Sequence, residues 1–153
     1  MVFLLDIKNI VAQLVEKYDT SDPFKLADLL SVVIVYEPLG SIYGYYSRSH
    51  RTKVIHINGN LSSENQLLTV AHELGHVILH PEANTVFLKK NTLFSTDKLE
   101  IEANTFAVEL LLPDELFTDH CCSGFTIYDA IDEKGVPIEL LSLKSIDGKK
   151  ILP

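Results

Sequence analysis

The stretch from Thr69 to Glu82, TVAHELGHVILHPE, constrains the fold of this chain more than any other. Leu74, Val77, Ile78 and Leu79 recur at helical intervals, and Pro81, which cannot continue a helix, sets its end. Ser62 or Ser63 caps the start. On that helix His72 and His76 lie one turn apart and project from one face, a preformed two-nitrogen clamp for a metal ion. Neutral imidazoles suit zinc, and a catalytic zinc takes a third protein ligand and leaves one position for water. Glu73 follows His72 at roughly 100° round the helix, close enough to reach that water without ligating the metal. Gly75 leaves room beside the site. The competing structural explanation is a plain core helix whose histidines sit at the surface. His80 stands one further turn along, directly before Pro81. Three ligands in line on one helix cannot close a tetrahedral set, so His80 is expected beside the ligands or at the surface.

The missing ligand is expected on the next strong helix, DKLEIEANTFAVELLLP, which offers Glu100 and Glu102. A helical wheel separates them. Ala103, Asn104, Ala107, Leu110 and Leu111 share the Glu100 side, whereas Glu102 falls with Thr105 and Glu109 on the polar side. A carboxylate buried among small and apolar residues needs compensation, and a cation supplies it. Ala103 and Ala107 also permit a close approach to the histidine helix. Glu100 is therefore the expected ligand. Glu102 is expected to be ordinary solvated surface, with Glu102→Gln leaving metal binding intact. His50, His56 and His120 have no spacing relation to the motif and are expected to be satisfied or solvated elsewhere. Cys121 and Cys122 are adjacent, diverge in direction and lack ligand spacing.

Around these two helices the chain has a simple order. Leu5, Ile7, Ile10, Val11, Leu14 and Val15 give residues 5 to 18 a helical period. Pro23 opens a second short helix running to about Leu30. VVIVYEP, SIYGYYSRS and TKVIHIN, rich in β-branched and aromatic residues, are expected as three short strands, with turns at Pro38-Leu39-Gly40 and Ser47 to Arg51. Glu82 to Thr96 is expected to be an irregular surface loop. Two more short helices are expected around Gly135-Val136-Pro137. Helices, a small three-stranded sheet and further helices make an α+β class. At 153 residues the chain has one domain's length. The main body is expected over 1–122, with a helical tail, 123–153, packed on it.

Composition narrows the partners. Net charge is -8, and no basic cluster exceeds the pairs Lys89-Lys90 and Lys149-Lys150, which argues against direct nucleic-acid binding. Leu29 to Tyr36, the most apolar later stretch, is too short to cross a bilayer, so no membrane partner is expected. The start lacks the basic region and long apolar core of a signal peptide. Pairing two neighbouring cysteines would close a strained ring, so reduced thiols and a cytoplasmic location are expected. Nothing in the sequence indicates an oligomeric state.

From Thr52 onward the chain resembles the ImmA/IrrE metallopeptidases. KVIHINGNL, AHELGHVILH and KLEIEANTFAVELLLP carry the resemblance, in that order. The family pattern in the last block sets a Glu three residues before an Ala, then Phe-Ala, Leu-Leu and Pro. Here these are Glu100, Ala103, Phe106-Ala107, Leu110-Leu111 and Pro113, so the alignment also selects Glu100. The N-terminal part and the tail match only in type. The resemblance implies a zincin-like domain with one zinc on His72, His76 and Glu100, and Glu73 as general base of peptide hydrolysis. Tyr43, Tyr45, Tyr46, Arg48 and His56 are available to stabilise the oxyanion, and SIYGYYSRS is a candidate edge strand for the substrate. Family members from mobile elements and phages typically cut a helix-turn-helix repressor, which the resemblance makes the expected partner. Two readings compete. One is a non-proteolytic sensor module that inactivates a partner repressor by binding. The other is DNA binding through GFTIYDAIDEKGVPIELLSLK as a helix-turn-helix-like pair, opposed by Asp129, Asp132 and Glu133.

Overall fold

The computed structural model describes residues 6–82, 86–87, 97–118 and 126–151. His120, Cys121 and Cys122 lie outside the described residues, as does most of the expected loop 82–96. Carboxylate and hydroxyl caps set the start of each long helix. Asp6 accepts from the Asn9 amide to begin α1, Ile7–Tyr18. Asp22 accepts from the Phe24 and Lys25 amides to begin α2, Pro23–Leu29, where Pro23 occupies a position whose N–H would lack a helical partner. Ser62, rather than Ser63, caps α3, Ser63–Leu79, through the Asn65 amide. Asp97 caps α4, Lys98–Leu111, through the Leu99 amide.

The three expected strands form as β1, Val32–Glu37, β2, Gly44–Ser49, and β3, Thr52–Asn58. A two-residue strand β4, Val86–Phe87, joins them in the order β1-β3-β2-β4. β1 runs parallel to β3 with Ile34 opposite Ile55, and β2 runs antiparallel to β3 with Ser47 opposite Val54. β4 opposes Gly44 and Tyr45, so β2, expected as a free edge, is interior to the sheet at its start. Strand pairing there satisfies backbone groups that an open edge would leave to water. Alternation along β2 and β3 sends Tyr46, Ile55 and Ile57 into the core, where α3 packs. Gly44 permits that packing, because a Cβ there would meet the His56 carbonyl oxygen at 2.6 Å and Thr69 Cγ2 at 2.7 Å.

Helices α3 and α4 cross at Gly75. A Cβ at Gly75 would lie 3.1 Å from Phe106 Cβ and 3.2 Å from Ala103 Cα, so the small residues allow the close approach. Leu68, Val70, Ala71 and Leu74 of α3 and Phe106, Ala107 and Leu110 of α4 are buried in the common core. The chain then forms α5, Glu115–Thr118, and α6, Ile127–Glu133, the latter opened by a reciprocal Thr126–Asp129 capping box. A 3₁₀ helix, Ile138–Leu143, takes the place of the second expected tail helix. A small hairpin follows, β5, Ser145–Ile146, with β6, Lys149–Lys150. Asp147 and Gly148 turn it at φ 51° and 76°, the left-handed conformation that such two-residue turns require.

A charge cluster anchors this tail. The fully buried Lys144 donates to Glu109 Oε2 at 2.8 Å and Asp114 Oδ1 at 2.6 Å. Lys8 of α1 reaches the same two atoms at 3.0 Å and 2.6 Å. Glu109 is thus buried, whereas the wheel of its own helix assigns it to the polar side. Two ammonium groups from distant parts of the chain supply the compensation that the wheel cannot display. Among the described residues, no helix is long and apolar enough to cross a membrane.

Candidate metal centre

The cap on α3 and the crossing at Gly75 together place the candidate ligands. His72 and His76 are fully buried, with their Nε2 atoms 3.1 Å apart. From α4, Glu100 sets Oε2 3.2 Å from His72 Nε2 and Oε1 3.2 Å from His76 Nε2. One ligand atom from each of the three residues falls within 4.8 Å of the others. The sequence-predicted trio is therefore brought together. Burial pushes the Glu100 carboxyl up, but its contacts with His72 and His76 outweigh this and hold it down at about 2. Burial pushes the His76 ring down, against the opposing pull of Glu100.

These donors fit a divalent metal. Asn104 Oδ1 lies 2.8 Å from His72 Nδ1 and accepts a hydrogen bond from its N–H, which leaves Nε2 as a lone-pair donor. A carboxylate and two imidazole nitrogens converge, and two nitrogens with one oxygen are a zinc-type donor set. Glu73 beside them is fully buried, and neither carboxylate oxygen has a hydrogen-bond partner among the described residues. Burial, and then the charge of Glu100, raise its pKa well above the ordinary carboxylate value. An orphaned buried carboxylate is costly unless the site receives a polar or cationic occupant.

The remaining predicted positions sort differently. His80 stays outside the trio, with Nδ1 3.1 Å from His76 Nδ1. Glu102 departs from expectation. Its side chain is only 12% exposed and its Oε2 lies 2.6 Å from His80 Nε2. The wheel treats Glu102 as one face of a single helix, whereas His80, released from helical geometry at the end of α3, reaches it from another element. His56 sits between Glu37 Oε2 at 3.1 Å and Ser47 Oγ at 2.9 Å, and stacks on Tyr45. His50 occupies the β2–β3 turn at positive φ. The Tyr46 hydroxyl donates to the Pro81 carbonyl, and Arg48 pairs with Glu82. These contacts join Tyr45, Tyr46, Arg48 and His56 to residues other than the trio. Asn104 was readable only as a polar residue on the Glu100 face, and its role became visible through its contact with His72.

The sequence profile of the M78 peptidases, described as an IrrE N-terminal-like domain, matches residues 27–140. The chain belongs to this peptidase family. It is 33% identical over 115 residues to "Metallopeptidase ImmA" of Bacillus subtilis (strain 168), an overlap spanning 74% of this chain and 67% of that one. It is also 46% identical over 145 residues to "Uncharacterized immunity region protein 2" of Bacillus phage phi105, spanning 94% of this chain and 92% of the relative. The M78 family is one of metallopeptidases, and His72, His76 and Glu100 are residues that could hold its metal.

Proposed function

We propose that this M78 protein is a zinc-dependent endopeptidase that works in the cytoplasm and cuts a helix-turn-helix repressor at one site. One zinc per chain is held by His72, His76 and Glu100, and Glu73 is the general base. The observation that carries this reading is Glu73, a fully buried carboxylate whose oxygens lack hydrogen-bond partners among the described residues, directly beside three converging donors. A zinc ion there would polarise the scissile carbonyl and lower the pKa of a water toward neutrality. Glu73 takes the proton from the attacking water and passes it to the leaving amine. Its raised affinity for a proton suits that role, because the proton is held between the two steps.

The repressor follows from the family resemblance and is supported by the phage immunity-region relative. A net charge of -8 suits a basic, DNA-binding partner and not DNA itself. A peptidase of this kind has to spare most folded proteins, so one exposed segment of one partner is the expected substrate. Co-expression with the neighbouring repressor, followed by an immunoblot for fragments, tests this. Wild type should remove full-length repressor, and Glu73→Gln, which keeps shape and metal but cannot accept the proton, should not. Release of repression by both proteins with the repressor left whole would establish a contact-only module instead.

A further inference from the structure

Behind the two histidines lies a set of hydrogen bonds that the hydrolytic chemistry does not itself require. We propose that His80, Glu102 and Asn104 are positioning residues which lock His76 and His72 in the tautomer that turns Nε2 toward the metal. This rests on the metal centre proposed above.

The proton order follows from the partners. Glu102 is a carboxylate and only accepts, so at 2.6 Å the proton between it and His80 sits on His80 Nε2. A neutral imidazole carrying its proton on Nε2 presents Nδ1 as an acceptor. At 3.1 Å that acceptor takes a hydrogen bond from His76 Nδ1–H, so His76 Nε2 is left with its lone pair facing His72 and Glu100. Asn104 Oδ1 imposes the same order on His72 at 2.8 Å. Each ligating imidazole thus has its outer nitrogen committed as a donor. Metal-binding histidines need such a partner to fix ring orientation and raise basicity.

The backbone explains why His80 can do this. It ends α3 at φ -134° and ψ 57°, outside helical conformation, while its amide still bonds the His76 carbonyl at 2.8 Å. The ring is thereby held near His76 yet directed across to α4. Both His80 and Glu102 are largely shielded from water, and Lys98 Nζ stands 3.7 Å from Glu102 Oε1 at the surface end of the chain. Low local dielectric strengthens such a row of bonds and orders it in one direction.

Competition for zinc against a calibrated chelator, on the full chain, tests the proposal. His80→Ala should weaken zinc binding by about 10- to 100-fold, the usual loss when such an outer partner is removed. Glu102→Ala should lose the smaller part of that range, and the double variant should lose no more than His80→Ala, because both break one chain. His80→Asn, whose Oδ1 can replace the acceptor, should retain most of the affinity, and Asn104→Leu should lose it. Melting of the chelator-treated proteins controls for folding. If His80→Ala does not fold, Glu102→Ala and His80→Asn carry the same comparison. Wild-type affinity in both alanine variants would overturn the proposal. So would losses that multiply in the double variant, or an asparagine variant as weak as the alanine one. A wild-type chain that binds no zinc would remove the metal centre itself, an outcome distinct from a metal centre indifferent to His80 and Glu102.

Discussion

Replacing Lys144 with methionine keeps most of the buried stem and removes the ammonium, so it isolates the worth of one charge in the tail anchor. Breaking a buried ion pair by removing one partner costs about 3–5 kcal/mol when the other charge is left alone. Glu109 and Asp114 are not left alone here. Lys8 Nζ remains 3.0 Å from Glu109 Oε2 and 2.6 Å from Asp114 Oδ1, and the chain can respond by tightening that contact. The expected cost of Lys144→Met is therefore about 2–3 kcal/mol, below the isolated-pair range. Lys8 is 32% exposed, so Lys8→Met should cost about 1 kcal/mol while Lys144 stays in place. In the double variant Glu109, only 3% exposed, loses both cations, and the cost should exceed the sum of the singles by about 2 kcal/mol. Urea unfolding followed by circular dichroism, at fixed metal saturation, measures all three. For a chain of this size about 2–4 °C of melting temperature accompanies each kcal/mol, so Lys144→Met should melt about 4–12 °C lower. A double variant whose loss equals the sum of the singles would refute shared compensation of Glu109. A Lys144→Met protein as stable as wild type would refute the anchor.

Glu100→Gln should abolish stoichiometric zinc binding while the chain still folds, as metal analysis of the purified variant would show. Gly75→Val places a branched side chain where even a Cβ meets Phe106 Cβ at 3.1 Å, so it should cost about 3 kcal/mol and weaken zinc binding by parting α3 from α4. Asp114 gives a pH signature. Burial raises its pKa, but Lys144 and Lys8 outweigh this and set the folded value below the ordinary 3.8. Its contribution is then present above the unfolded value and disappears as pH falls through the folded one. The stability gap between wild type and Asp114→Asn should accordingly be full at neutral pH and close below about pH 4 in acid unfolding curves. A gap that persists at the lowest pH would mean that Asp114 acts through something other than its charge.

Consecutive residues alone were enough to place α1 to α4, β1 to β3 and the convergence of His72, His76 and Glu100. Helix periods, caps and prolines are local properties of consecutive residues, so α1 to α4 fall within a few residues of where composition and period place them. His72 and His76 share a face because four residues are close to one helical turn, and Glu100 was separable from Glu102 because a wheel sorts small residues from polar ones. Gly75 and Ala103 meet at the crossing for the same reason, since small residues mark where backbones can approach.

What depends on a neighbour from another element was set by packing alone. Glu102 and Glu109 both carry the mark of surface residues on their own helix. One is sheltered by His80 arriving from the end of α3, and the other by Lys8 and Lys144 arriving from the two ends of the chain. Whether a polar residue is solvated depends on what covers it, and a wheel contains only one helix. Pairing of β2 with the two-residue β4 was hidden for a related reason, because so short a strand has no period to read and is held by its partner's backbone. The direction of the protons behind His72 and His76 is the furthest from sequence. It is set by which atom of Asn104, His80 and Glu102 faces which ring nitrogen, at distances only the packing of α3 on α4 creates.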